Sequence, residues 1–585
     1  MSYNLNNTPA KQKVSTWAAL RGLLALLRSE RKNLLLGLAV IIVNAFLILL
    51  TPFIIGYTID HYVLHKDYPG VLRFAGILLG MYLVILFSNY FQTRLAGGVG
   101  QRMLFTLRNA IFDKLQELPV AFFNANKAGD LISRVNNDTD KLNTFFSQSL
   151  VQFISSLATM AGSGIFLLII HVKLGAAALV PAVCIGIFTW LTSDWVKRKN
   201  AINLKSVGGL SAEVQESLGN FRLITVFNRR DYFRKRFDEV NRRNYTTAIT
   251  AGLANNLLLP VYSLFSSLAQ LIVLSYGIYL ISVGDFSIGL LVSYLSYATY
   301  FYNPLRQLAT LWTSFQVALA GWDRIAQILS LNNDQPTIPA TERVDSPALI
   351  EFRNVCFGYE PGKEILHRVN LQLERGKSYA LVGPTGGGKT TTASLIARLY
   401  DPTTGTVFLD GKDLRSYPAA ERTRKIGFIL QEPFLFSGTV KDNILYGNRE
   451  YRDYSDEQLE GVIREENLEG LLAIFENGLQ TKVSTSGDGI SLGQKQLIAF
   501  MRAVLRKPDV LILDEATANI DTVTEQLLQN ILQKLSSKTT RITIAHRLNT
   551  IENADEIFFV NAGEVERAGS FDDAVNKLML GKRAS

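Results

Sequence analysis

The chain has 585 residues, enough for about four domains of ~150 residues or for fewer, larger ones. Lys and Arg number 60 against 51 Asp and Glu, a net charge of +9, yet only 19% of residues are charged and 48% are hydrophobic. Soluble chains average about 25% charged residues, so charge has been thinned here, and the composition excludes a disordered chain, a collagen and a small disulfide scaffold.

In chain order, residues 17–27 are amphipathic, with Arg21 and Arg28 on a polar side, and predict a helix lying at a membrane interface. Six apolar stretches follow, each near the ~20 residues needed to cross a bilayer. They cover residues 34–55, 74–94, 150–170, 174–191, 253–282 and 286–315. Only His171, Val172 and Lys173 separate the third from the fourth. The first run begins after residue 33 and is long enough to span, so it reads as a span and not as a cleaved leader.

Basic residues set the orientation. The loop 97–148 holds Arg102, Arg108, Lys114, Lys127, Arg134 and Lys141, and the loop after the fourth span is richer still, from Lys197 to Arg243. Both loops and the N-terminus are therefore expected in the cytoplasm, and six spans return the C-terminus there. The net charge is then a topology signal of a multi-pass protein of the cytoplasmic membrane. Its rival, a nucleic-acid footprint, is set aside because the charge lies beside the spans, and no nucleic-acid partner is expected. Each loop has helical periodicity without a long Gly/Pro break. The spans are expected to run on into the cytosol, each pair joined by a short turn helix; the spacing also permits a separate loop domain. The two cysteines, Cys184 and Cys356, give neither a disulfide framework nor a metal cluster, and suggest a reducing environment for Cys356.

Residues 332–347 are polar and contain proline, and read as a linker between residues 1–331 and 348–585. Beyond it, short β-rich runs alternate with helical ones, which predicts an α/β domain with a largely parallel sheet. Gly383-Pro384-Thr385-Gly386-Gly387-Gly388-Lys389-Thr390 fits the P-loop pattern between an apolar strand and a helix-like run that starts at Thr391. Glycines there let backbone N–H groups wrap phosphates at a helix N-terminus; Lys389 would reach the β/γ-phosphates of ATP and Thr390 the Mg²⁺. The buried-strand run 510–513 ends in Asp514 and Glu515, at the sheet end where α/β folds place ligands. Asp514 would hold Mg²⁺ and Glu515 would polarise the attacking water.

The run from Ile490 through Ser491, Leu492, Gly493 and Gln494 to Gln496 is similar to the signature loop of ABC transporters, and the whole chain resembles one half of a six-helix ABC exporter. The resemblance implies an all-α six-helix membrane domain plus an α/β P-loop NTPase domain with a helical subdomain. It also implies an ATPase that drives transport. By the same resemblance Tyr359 stacks on adenine, Gln431 senses Mg²⁺ and contacts the membrane domain, and Asp521, after Asn519 and Ile520, crosses to the opposite subunit. His546, within Ile544 to Arg547, is the switch histidine at the γ-phosphate. Phe122, Phe123, Gly129, Asp130, Ser133, Arg134 and Asp138 resemble the first cytoplasmic loop of these exporters, and Glu216, Gly219 and Phe227 the second.

Departures from the family pattern carry information. Leu492 replaces the first signature glycine, where leucine resists close backbone approach and positive φ. Thr485 stands where a glutamate is usual, and Leu497 and Met501 where Arg and a small residue are common. An ATP site in the family is composite, with the signature supplied by the other subunit. A complete hydrolytic face beside an altered signature face implies a heterodimer with a second half-transporter; a homodimeric exporter or lipid flippase is the alternative. An ATP-gated regulatory protein is a third reading. The scarcity of ionisable groups in the spans suits hydrophobic or amphipathic cargo such as drugs or lipids. Tyr294, Tyr297 and Phe301 fall on one face of the sixth span, either lining a translocation cavity or serving as helix–helix or lipid-facing aromatics.

Overall fold

The computed structural model describes residues 3, 5, 30–333, 335–339, 343–360, 362–484, 490–514, 522–535, 539–544, 554–569, 572–573 and 575–576. They fall into two compact units. The expected interfacial helix at 17–27 lies outside the described residues.

One unit, within 10–115 and 131–330, is all helical. In chain order the long helices and their turn helices are α1 (Arg31–Val63), α2 (Tyr68–Glu117), α3 (Val120–Ala125), α4 (Ala128–Ile170), α5 (Val172–Gly219), α6 (Phe221–Val226), α7 (Arg230–Val283) and α8 (Ile288–Leu329). Among the described residues α1, α2, α4, α5 and α7 are long and apolar enough to cross a membrane. α8, the sixth expected span, is a continuous 42-residue helix but does not join them. Its membrane half crowds Tyr294, Tyr297, Tyr300 and Tyr302 together, which lowers its hydropathy.

Those tyrosines pack between helices. Tyr294 and Tyr297 are fully buried. The Tyr294 hydroxyl donates to the Leu167 carbonyl, that of Tyr297 to Leu49 O at 2.7 Å and that of Tyr302 to Ala178 O at 2.7 Å. Tyr297 also stacks on Phe166 with centroids 5.1 Å apart. In this protomer the cavity-lining reading therefore gives way to packing for Tyr294 and Tyr297. α1 and α8 approach closely where a Cβ on Gly56 would lie 2.5 Å from Gly289 O, small residues being what brings membrane helices together. Asp60 then caps α8, accepting from Gly289 N at 2.7 Å and Ser287 Oγ at 2.5 Å.

His171 breaks the chain between α4 and α5. It is extended, and its Nδ1 accepts from Leu174 N at 3.1 Å as the N-cap of α5. α2 and α5 each run about 70–75 Å at 1.5 Å per residue, far beyond a ~30 Å hydrocarbon core, so continuous helices rather than a separate loop domain carry the chain out of the membrane. In the projecting part Asp138 is fully buried, held by Arg324 and by Lys141 Nζ at 2.9 Å. Arg134 donates to Arg324 O at 2.8 Å and Gln327 Oε1 at 3.0 Å. Glu213 and Glu216 share Arg236, at 2.9 and 3.0 Å.

The other unit takes in described residues of 1–9, 116–130 and 331–585, so α3 of the first loop falls with the second half of the chain. Its strands are β1 (Ala348–Phe357), β2 (Leu366–Glu374), β3 (Ser378–Val382), β4 (Thr404–Leu409), β5 (Lys412–Asp413), β6 (Ile426–Ile429), β7 (Gly438–Thr439), β8 (Lys482–Val483), β9 (Val510–Asp514), β10 (Thr540–Ile544), β11 (Glu556–Asn561) and β12 (Glu564–Arg567). An antiparallel sheet runs β2-β1-β4-β5, and a six-stranded sheet runs β12-β11-β3-β10-β9-β6, parallel from β11 to β6. One core lies between these sheets, around Phe352, Leu371, Tyr379, Ile512 and Ile542. A second joins β6 and β9 to a helical subdomain, around Val440, Leu459, Leu471, Phe500 and Leu528.

Candidate functional site

β3 and β9 flank β10, with Leu381 and Asp514 both registered on Ile544. At about 4.8 Å between strands, the ends of β3 and β9 lie about 10 Å apart. β6 follows β9, with Ile429 opposite Leu513, so the chain leaving β6 toward Gln431 emerges at the same end. Asp514 is 6% exposed there, at the end of a fully buried strand.

The loop after β3 depends on its glycines. Gly383 has φ +147°, and a Cβ there would strike the Val560 carbonyl. Gly388 has φ +113°, and a Cβ would meet Leu366 Cδ2 at 2.8 Å. Pro384, Thr385, Gly386 and Gly387 complete the turn, closed by a bond from Gly387 N to Pro384 O at 3.1 Å. Gly388 leads directly into α9 (Lys389–Ile396), whose N-terminus adds a positive dipole end. Lys389 is 5% exposed and donates from Nζ to Gly383 O at 2.8 Å and Pro384 O at 3.0 Å. Thr390 is exposed in the first turn of α9, and Thr391 is buried. A buried ammonium, a helix N-terminus and a glycine-shaped loop fit a polyphosphate.

Tyr359 is coupled to this loop, its hydroxyl sharing a hydrogen with Thr391 Oγ1 at 3.2 Å. Its ring meets Phe357 and Tyr400 edge-on, with centroids 4.9 and 5.0 Å apart, and remains 48% exposed. Burial of its hydroxyl side pushes that hydroxyl above the usual tyrosine pKa, so it stays neutral. Tyr400, not singled out by the sequence reading, also accepts from Asn124 Nδ2 of α3 at 2.6 Å. The tyrosine thus joins the expected adenine-stacking ring to the first-loop turn helix. Phe122 of α3 is fully buried against Tyr3, whereas Phe123 is exposed.

The signature run forms the start of α10 (Leu492–Val504). Ser491 is the N-cap: its Oγ accepts from Gln494 N at 3.1 Å, and Gln494 Oε1 accepts from Ser491 N at 2.9 Å, a reciprocal capping box. Gly493 sits in the first turn. Leu492 has no positive φ, so the leucine sits at an ordinary helix start. The change lies in its side chain, 41% exposed at a helix N-terminus. Among the described residues, no hydrogen bond joins Ser491, Gly493 or Gln494 to the phosphate loop; Ser491 and Gln494 bond each other. Gln496, 1% exposed, links this helix to the chain just beyond β6 by donating Nε2 to Gln431 O at 3.5 Å. Glu515, Asp521 and His546, with Thr485, Asn519, Ile520 and Arg547, lie outside the described residues.

Comparison with known proteins identifies both halves. Residues 34–305 match the ABC transporter transmembrane region, and residues 366–518 match the ABC transporter domain. An uncharacterised ABC transporter ATP-binding protein of Bacillus subtilis is 34% identical over 553 residues, 94% of this chain and 91% of that protein. A fatty acid ABC transporter ATP-binding/permease protein of Mycobacterium bovis is 32% identical over 507 residues, covering 86% and 79%. A multidrug resistance ABC transporter ATP-binding and permease protein of Lactococcus lactis is 30% identical over 505 residues, covering 86% and 84%. With membrane helices and a nucleotide-binding cassette in one chain, this protein belongs to the ABC transporters as a multi-pass half-transporter whose cytoplasmic cassette binds and hydrolyses ATP to drive transport.

Proposed function

We propose that this chain exports hydrophobic or amphipathic molecules across the cytoplasmic membrane as one half of a heterodimer. The relatives named for fatty acids and for multidrug resistance support the cargo class. The observation that carries the coupling is the continuous path from Tyr359 through Tyr400 to Asn124. A nucleotide base stacked on Tyr359 would bear on Tyr400, and so on α3. Lys389 would engage the β/γ-phosphates, with Gly383 to Thr391 cradling them, and Thr390, Gln431 and Asp514 would hold Mg²⁺. Bound Mg²⁺ supplies charge neutralisation on the phosphate oxygens. Glu515 would act as base and His546 would contact the γ-phosphate.

Ser491, Gly493, Gln494 and Asp521 would serve a site completed by the partner. The second-loop turn helix supports docking on a partner, since Phe221, Leu223, Val226 and Phe227 are all more than half exposed. Contiguous exposed apolar side chains outside the membrane mark an interaction surface.

ATP-dependent uptake of a lipophilic dye or a labelled fatty acid into inverted vesicles tests export; ATP hydrolysis without any uptake would overturn it. Tyr400→Phe keeps the ring against Tyr359 but removes the bond to Asn124. One hydrogen bond is worth about 0.5–1.5 kcal/mol, so molecules moved per ATP should fall roughly two- to tenfold with ATP affinity unchanged. An unchanged ratio would dismiss the path through Tyr400.

Leu492 motivates the pairing. In a homodimer both sites would carry Leu492 and both Glu515, whereas a heterodimer separates the altered signature from the intact base. The chain expressed alone should show little substrate-stimulated ATPase, restored by its partner half-transporter. Full stimulation of a purified homodimer would favour the homodimeric reading and leave export intact.

A further inference from the structure

α1 and α2 run antiparallel and are fastened at two levels. At the cytosolic end Arg102 donates from Nε to Glu30 Oε1 and from Nη2 to Glu30 Oε2, both at 2.8 Å. Within the apolar stretch Asn44 Nδ2 donates to Asn89 Oδ1 at 2.7 Å. Glu30 and Asn44 are about 21 Å apart along α1 at 1.5 Å per residue. Between the fastenings the helices part around a cleft of about 50 Å³, lined by Gly37, Leu38 and Ile41 of α1, Gln92 and Ala96 of α2, and Ile154 of α4.

Two observations set the chemistry of this cleft. Gln92 lines it, and its Oε1 is buried without a hydrogen-bond partner. Asn44, one turn beyond Ile41 and only 4% exposed, has an Oδ1 in the same condition. Helix-to-helix amide bonding accounts for the Asn44 donor and the Asn89 acceptor. It leaves two carbonyl oxygens in the hydrocarbon zone, where an unbonded polar atom is costly. Both are acceptors, so what completes them is a donor. Among the described residues no charged side chain lines the cleft, so a cation there would lack a counter-charge from them, and a neutral donor is favoured. The volume admits a hydroxyl with a few methylenes and excludes a polycyclic drug.

We propose that this cleft binds the hydroxyl-bearing end of a long-chain amphipath, Gln92 Oε1 accepting from the hydroxyl. The proposal rests on the reading of the chain as an exporter of hydrophobic or amphipathic molecules and names a cargo class for it.

The test uses the purified full chain in lipid nanodiscs, without ATP. Two photoprobes are compared: dodecanol carrying a diazirine near its hydroxyl end, and the methyl ether of the same probe. Labelled residues are located by mass spectrometry. The alcohol should label residues 37–44 and 92–96, excess 1-dodecanol should compete, and the ether should label them at least threefold less. Gln92→Leu should lower labelling by the alcohol about three- to tenfold, the range of hydrogen bonds inside membranes, and leave ether labelling and ATP binding unchanged. Equal labelling by alcohol and ether in the unaltered protein would overturn the proposal, and so would labelling indifferent to Gln92→Leu in a variant that binds ATP normally. The alcohol–ether comparison decides the matter should that variant fail to fold. ATP-dependent movement of dodecanol in vesicles is a separate readout: labelling without movement counts against export, and movement without labelling counts against the cleft.

Discussion

Glu515→Gln should lower ATP turnover at least ~10²-fold and leave ATP binding intact, the loss expected on removing a positioned acid–base group. β9 ends in Asp514, buried and about 10 Å across the sheet from the end of the phosphate-loop strand. Glu515 is the next residue in the chain. Gln keeps the size of the side chain but would remove the proposed base and, with it, a negative charge. Losing the base slows attack by water; losing the charge removes a repulsion, so ATP should bind as well or more tightly. Steady-state ATPase rates beside equilibrium ATP binding separate the two effects. Turnover within a few-fold of the unaltered protein would assign the base elsewhere.

The membrane half was legible because hydrocarbon imposes length and composition directly. The His171 break between α4 and α5 fell where the polar triplet His171-Val172-Lys173 interrupts two apolar runs, and the loops are continuous helices, as their unbroken periodicity indicated. The tyrosines of α8 were less legible. Their spacing showed a shared face but not what that face meets, and only the carbonyls of Leu49, Leu167 and Ala178 reveal a packing role. The phosphate loop was readable residue by residue because each glycine answers a local backbone demand. At Leu492 the helix start after Ser491 is kept, and a capping box begins an ordinary helix there. Tyr400 and Asn124 were out of reach, being 276 positions apart and joined only in the fold.

Lys389→Ala should do the reverse of Glu515→Gln and weaken ATP binding itself. Lys389 is 5% exposed and its ammonium bridges the carbonyls of Gly383 and Pro384, so it shapes the loop and, in the proposed role, would carry the charge that meets the phosphates. Truncation leaves those two carbonyls short of a donor and removes a charge-assisted bond worth about 1.5–3 kcal/mol. ATP affinity should therefore fall roughly 10- to 150-fold, and hydrolysis with it at ordinary ATP concentrations. Lys389→Arg should restore little. Its planar guanidinium is larger than an ammonium and cannot enter the same enclosed corner, where Gly383 already lies against Val560 and Gly388 against Leu366. Titration with a fluorescent ATP analogue reads the effect without turnover. Unchanged affinity in Lys389→Ala would place the phosphates away from this loop. Weakened binding in Lys389→Ala together with retained binding in Glu515→Gln would separate the two duties of the site, holding the nucleotide at the end of β3 and cleaving it at the end of β9.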